Sequence, residues 1–151
     1  MKVNLLVNQP GDVRSGYLNI DPAAPADCQD GRVHGDLSKL SLVEANEATE
    51  LVAHGILDRY SVQDADTVLD QWIGKLAHGG TLSISVVDIR EVARAVLYGT
   101  ILLEDANALL HAGKQCSLTM GRLVDVLQSK GLKIVRKHIQ DYQAFVIAQR
   151  S

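Results

Sequence analysis

Short apolar runs recur along the chain between amphipathic segments. Apolar and β-branched runs bounded by Gly, Pro, Asn or Asp are typical of buried strands. The pattern predicts seven strands, at residues 3–7, 17–20, 32–34, 50–53, 81–87, 133–136 and 144–148. The last two flank the polar turn at residues 140–142, which predicts an antiparallel pair.

Four helices are predicted between these runs. The clearest covers residues 61–76, where apolar side chains repeat at helical spacing. Ser61 is the expected N-cap, with Asp64 three residues later in a capping-box position. His78-Gly79-Gly80 is expected to end the helix. The others cover residues 89–97, 103–111 and about 119–131, and Asp88 is expected to cap the first of these. Trp72 is expected in the core.

Strands that alternate with helices predict an α/β fold. We expect a Rossmann-like, mostly parallel sheet with helices on both faces and an antiparallel strand pair at its C-terminal edge. The connection between the first two strands is too short for a full crossover helix. A chain of 151 residues fits a single domain, residues 1–151.

Composition and charge narrow the function classes. The net charge of −3 provides no basic field for nucleic acid, and no segment reaches the ~18 apolar residues of a membrane span. We therefore expect a cytoplasmic protein without a nucleic-acid or membrane partner. The two cysteines and five histidines are scattered singly, so no metal site is predicted.

Polar residues follow several of the predicted strands. In open α/β sheets, ligands bind outside the carboxyl ends of the strands. The candidates in chain order are Asn8, Gln9, Asp21, Asp36, His54 and Asp58.

Two acids among these candidates suit an adenosine ligand. Asp21 could accept hydrogen bonds from both hydroxyls of a ribose, or it could only start the turn Asp21-Pro22. Asp36 could accept from an adenine amino group, or it could cap the turn that follows. Near the fourth strand, His54 and Asp58 could serve proton transfer, or they could be surface charges at a helix start.

Read together, these segments resemble the class I S-adenosylmethionine-dependent methyltransferases. The similarity is greatest to the small bacterial branch that begins "KLNLGCG" and then "GYINVD". "KVNLLVN" lies at the first motif, "GYLNID" matches the second, "VHGDLSKL" resembles "VVGDLTKLPF", and "ELVAHGILDRY" resembles "EIYASHVLEHF". "WIGKLAHGGTLSISVVDI" resembles "WRRVLKPGGTLRISVPDL", and "LVDVLQSKGLKIVR" also has a counterpart.

The resemblance implies one methyltransferase-like domain and S-adenosylmethionine as its cofactor. By position, Asp21 corresponds to the ribose ligand, Asp36 and Leu37 to the adenine pair, and Ala53 and His54 to the pocket wall. Asn8 and Gln9 stand in the loop that holds the methionine moiety.

Three departures from the family pattern concern the site itself. Leu6, Val7 and Asn8 replace "GCG"; Gly55, Asp58 and Arg59 replace a histidine, a glutamate and a histidine; Val87 replaces a proline. Glycine leaves no Cβ between backbone and ligand, so the altered loop indicates a degraded cofactor site.

The resemblance leads us to expect the first of three functions, with the other two as alternatives. The first is methyl transfer to a small-molecule or glycan-linked acceptor, with His54 or Asp58 as general base. The second is a non-catalytic binding or assembly module, a pseudoenzyme with a protein partner. The third is a nucleotide-binding domain that uses Asp21 for another adenosine ligand.

Overall fold

The computed structural model describes all 151 residues as a seven-stranded sheet with four helices. The strands are β1 (Lys2–Leu5), β2 (Leu18–Ile20), β3 (Arg32–Val33), β4 (Ala48–His54), β5 (Leu76–Val87), β6 (Leu132–Gln140) and β7 (Gln143–Arg150). The helices are α1 (Val62–Lys75), α2 (Ile89–Leu97), α3 (Leu103–His111) and α4 (Met120–Ser129). Short 3₁₀ turns lie at Pro10–Asp12 and Leu57–Arg59.

The strand order confirms the predicted fold class. The sheet runs β3-β2-β1-β4-β5-β7-β6, with β1 to β5 parallel and β7 antiparallel to both β5 and β6. The order reverses between β1 and β4, and such a reversal is where Rossmann-like sheets open a crevice for ligands.

The main core lies on one face of the sheet. Helices α1 and α4 pack there against strand residues in one cluster of 26 buried side chains. Trp72 of α1 is fully buried in this cluster, as predicted, and its Nε1 donates to the Leu37 carbonyl at 2.7 Å. This single indole therefore ties α1 to the loop that follows β3.

Helix cover on the opposite face is confined to one end of β5. Because successive side chains alternate across a strand, Val87 points away from its neighbour Val86, which belongs to the main core. Helices α2 and α3 pack against Val87 in a separate small cluster. Between β1 and β2 there is no α-helix, as the short connection predicted, and the Asn4 side chain donates to the Asp12 carbonyl of that connection.

The end of α1 differs from the prediction. Helix α2, helix α3 and the cap at Asp88 have the predicted bounds, and Ser61 caps α1 by accepting from the Asp64 amide. The expected stop at residues 78–80 is wrong, because α1 ends at Lys75 and β5 begins directly. A Cβ on Gly80 would lie 2.8 Å from the Ala48 carbonyl oxygen, so this glycine permits close approach of β4 rather than a helix end.

The C-terminal hairpin is longer than its sequence pattern. Strands β6 and β7 pair from Leu132↔Arg150 to Gln140↔Gln143. Asp141 and Tyr142 form the turn with φ of 49° and 64°, the left-handed geometry that two-residue hairpin turns require.

None of the four helices has the length and apolar character needed to span a membrane.

Candidate functional site

The candidate residues lie along the carboxyl edge of the sheet, but they do not form one pocket. Asn8 and Asp21 are in direct contact. Gln9 and His54 line the same two cavities, of about 340 and 290 Å³. No group of three or more His, Cys, Asp or Glu side chains is placed to hold a metal ion.

Asp21 is sealed inside the protein. Its side chain is 0% exposed, and its Oδ1 accepts from the backbone amides of Asn8 (3.1 Å) and Ala23 (2.9 Å). Its Oδ2 accepts from Nη1 of Arg32, an ion pair of 3.0 Å. Arg32 belongs to the neighbouring strand β3 and binds Asp30 at 2.7 Å with its other terminal nitrogen. The chain's own groups therefore occupy the carboxylate.

The electrostatics of Asp21 favour the ionised state. Burial alone would raise the pKa of this carboxyl. The amides of Asn8 and Ala23 and the guanidinium of Arg32 outweigh burial and lower the pKa below its usual value near 3.8. Asp21 is thus a charged, internally satisfied anchor between β2 and β3.

The loop after β1 lacks the open backbone of a glycine loop. The Leu6 amide donates to the Ile20 carbonyl at 2.9 Å, which continues the β1–β2 ladder, and the Leu6 side chain is only 2% exposed. Asn8 takes the left-handed conformation (φ 51°) that glycine would otherwise provide, while Gln9 is exposed. The Leu6 side chain therefore forms part of the wall of the 340 Å³ cavity at this loop, where a glycine would place no Cβ.

Asp36 and Leu37 serve the turn that follows β3. The Asp36 carboxylate accepts from the Ser38 amide (3.0 Å), the Ser38 hydroxyl (2.9 Å) and the Lys39 amide (3.2 Å). The Ser38 amide is the largest influence that lowers the pKa of Asp36. Leu37 is 4% exposed in the main core. This geometry matches the turn-cap alternative for Asp36.

Ala53 and His54 point to opposite faces of β4. Ala53 is fully buried in the main core. His54 lies on the other face, with Nε2 2.9 Å from the Ser83 hydroxyl and its ring edge-on to Phe145 at 5.5 Å. Burial, followed by the positive charge of Arg14, lowers the pKa of His54 and keeps its imidazole neutral near pH 7.

Asp58 is a structural anchor in this arrangement. It is 1% exposed, its Oδ1 accepts from Lys114 Nζ at 2.7 Å, and its Oδ2 accepts from the Val87 amide at 3.1 Å. Its carbonyl accepts from the amides of Gln115 and Cys116. The partners of the carboxylate are therefore Lys114 and Val87, and His54 is not among them.

Sequence reasoning missed the two cations that neutralise these acids. Lys114 stands 56 residues from Asp58, and no local pattern connects them. Arg32 could have been found, because a basic residue on the strand beside an acid is a natural partner for it.

Comparison with solved structures places the fold among the methyltransferases. An O-methyltransferase family protein from Burkholderia thailandensis superimposes with a TM-score of 0.64 and 15% identity, over 99% of this chain and 51% of that one. A SAM-dependent methyltransferase from Thermotoga maritima superimposes with a TM-score of 0.68 and 12% identity, over 100% of this chain and 83% of that one. Magnesium protoporphyrin IX methyltransferase from Synechocystis, solved with bound SAH, has a TM-score of 0.62 and 12% identity, over 99% of this chain and 74% of that one.

The two kinds of comparison differ in what they establish. No protein-family model and no curated protein matches the sequence. The structural likeness shows a class I methyltransferase fold, and this chain spans about half the length of the Burkholderia protein. Identities of this size support the fold alone.

Proposed function

We propose that this chain is a non-catalytic methyltransferase-fold module that has lost S-adenosylmethionine binding and acts by contact with a protein partner. The observation that carries the proposal is the complete burial of the Asp21 carboxylate, whose hydrogen-bond partners all belong to the chain itself. An acid can hold a ribose only if its oxygens face the ligand, and this side chain is 0% exposed.

The exchange of partners at Asp21 would be unfavourable for a nucleoside. A ribose would have to displace Arg32, so a charge-assisted bond between opposite charges would give way to bonds from neutral hydroxyls. The freed guanidinium would keep only Asp30 as a carboxylate partner. The sealed state is therefore favoured over the ribose-bound one.

The remaining cofactor positions fit no better. Leu6 is buried where the family has glycine, Ala53 faces the helix-covered core, and Asp36 is satisfied by its own turn. These residues do not fit S-adenosylmethionine.

Methyl transfer to a small-molecule or glycan-linked acceptor is the alternative. The fold favours it, and so does His54, a neutral imidazole that lines two cavities at the carboxyl ends of β1 and β4. A base near a cavity needs an aligned methyl donor to act on an acceptor. The complete burial of Asp21 argues against the binding of such a methyl donor.

A thermal-shift titration with S-adenosylmethionine, S-adenosylhomocysteine and adenosine tests the proposal. A ligand at ~100 times its dissociation constant stabilises a fold by about 2.7 kcal/mol, or roughly 5–10 °C in Tm for a chain of this size. We expect no shift with any of the three at millimolar concentration. An unrelated cofactor-binding methyltransferase on the same plate serves as the positive control.

The Asp21→Asn variant makes a positive result interpretable. A rise in Tm of the wild-type chain with both cofactors, lost in Asp21→Asn, would overturn the proposal and support the methyltransferase alternative. A rise with adenosine alone, also lost in the variant, would overturn it in favour of another adenosine ligand.

A further inference from the structure

An exposed apolar strip lies at the junction of α2 and α3. It consists of Val96 (46% exposed), Leu97 (78%), Tyr98 (72%), Leu102 (62%) and Leu103 (70%). These are five of the chain's eleven exposed large hydrophobic residues, gathered within eight positions. Single exposed apolar residues are ordinary on a protein surface, whereas a contiguous group marks an interaction site.

A groove opens beside the strip. Its volume is about 700 Å³, and Ile101, Leu102, Leu109 and Tyr142 supply its large apolar walls. Asp105 and Asp141 also line it, and neither carboxylate has an ion-pair partner within the chain. The groove is thus apolar with two acidic groups.

The helix that carries part of the strip is basic on the same side. Arg94 precedes Leu97 and Tyr98 by three and four positions, the spacing of neighbours on one helix face. Arg90 lies one turn earlier and has no ion pair, while Arg94 contacts only Glu91 of its own helix at 3.3 Å, in an exposed pair. Leu97 and Tyr98 therefore form an apolar projection that follows the unpaired Arg90 and the exposed Arg94–Glu91 pair on α2.

We propose that a second copy of this chain docks on this surface in a two-fold symmetric dimer. Leu97 and Tyr98 of each copy enter the groove of the other, which brings Arg94 towards Asp105. One chain supplies both the projection and the acidic groove, and the two are adjacent because Leu102 belongs to both. The two contacts can therefore form reciprocally about one two-fold axis, as an isologous interface requires. This inference does not depend on the proposed loss of cofactor binding.

The size of the surface is that of a small interface. The strip has five residues, whereas each partner contributes about 20–30 residues and ~800 Å² to a standard interface. We therefore expect reversible association in the micromolar range.

Sedimentation-velocity ultracentrifugation of the full chain over a range of concentrations tests the dimer. The expected result is a concentration-dependent shift from monomer to dimer. Leu97→Glu should weaken dimerisation at least tenfold, while Val62→Glu, which places the same charge at a 65% exposed position on α1, should leave it unchanged. A wild-type chain that stays monomeric throughout would overturn the proposal and leave the surface to a different protein.

Charge reversal tests whether Arg94 on α2 of one copy lies near Asp105 in the groove of the other copy. Arg94→Glu and Asp105→Lys should each weaken self-association, because each places like charges across the two-fold contact. An equimolar mixture of the two variants should recover a heterodimer, since the introduced glutamate of one variant then faces the introduced lysine of the other. Two variants that dimerise alone as the wild type does, or a mixture that stays monomeric, would overturn the docking geometry.

Discussion

Replacement of Lys114 by methionine should destabilise the fold through the acid it leaves behind. The side chains of Lys114 and Asp58 are 12% and 2% exposed in their ion pair of 2.7 Å. Methionine retains most of the aliphatic stem but removes the cation. The Asp58 carboxylate then keeps only the Val87 amide as a hydrogen-bond donor.

The size of the effect follows from burial. Loss of one partner from a buried ion pair costs about 3–5 kcal/mol, because the other charge remains buried and unpaired. Since Lys114 retains some solvent contact, we expect the lower end, about 3 kcal/mol. For a chain of 151 residues this is a fall in Tm of roughly 6–12 °C.

A double-mutant cycle isolates the pair. Asp58→Asn removes the buried negative charge but keeps an oxygen for the Val87 amide. Once this charge is absent, Lys114→Met no longer leaves a buried carboxylate without its cation. The double variant should therefore lose clearly less stability than the two single losses added together, with a coupling of about 2 kcal/mol.

Urea unfolding followed by circular dichroism measures all three variants. Lys2→Met is the matched control, because Lys2 is 53% exposed in its pair with Glu50 and exposed pairs contribute little. The structural role assigned to Asp58 is refuted if Lys114→Met costs under ~1 kcal/mol, or if the single losses add without coupling.

Two further predictions concern Asp21 and a pair of glycines. The lowered pKa of Asp21 means that its stabilisation is present above about pH 3.8 and is lost as pH falls through the folded-state value. Asp21→Asn should therefore lower Tm at pH 7, and its difference from wild type should shrink as pH falls through the folded-state pKa of Asp21, which lies below 3.8. A difference that stays the same across this acid range would contradict the assignment. Gly80→Ala should destabilise by ~1–3 kcal/mol, because its Cβ would meet two backbone oxygens at 2.8 and 2.9 Å. Gly74→Ala, in open space on α1, should stabilise by ~1 kcal/mol, and similar urea midpoints for the two would count against the packing argument.

Much of the fold could be predicted because its elements carry local signals. Asp88 caps α2 with a side chain that accepts from the amides of Arg90 and Glu91, and its sequence position alone indicated this. Gly79-Gly80 gave a misleading helix stop, since Gly80 is required by the close approach of β4 and Gly79 by its positive φ of 77° within β5. Strand β6 extends to Gln140 despite its polar sequence, because hairpin pairing with β7 determines its length.

The candidate site was less predictable because its chemistry depends on distant partners. The position of Asp21 after β2 indicated a ribose acid, yet its availability depends on Arg32, eleven residues further on. The exposed strip was missed for a different reason. The run "VLYGTILL" reads as ordinary helix ends, and only side-chain exposure shows that nothing in the chain covers it.

The bare connection between β1 and β2 has a consequence for how the sheet opens. Strands β2 and β3 contain three and two residues, and no α-helix lies between β1 and β2. Their amides should exchange with deuterium through local openings far smaller than global unfolding, before those of β5 and β7. The ion pair of Asp21 and Arg32 joins β2 to β3, and the buried hydrogen bond from Asn4 to Asn19 joins β1 to β2, so both resist such openings. Water would therefore reach the buried acid by transient fraying of this edge, with the rest of the protein still folded.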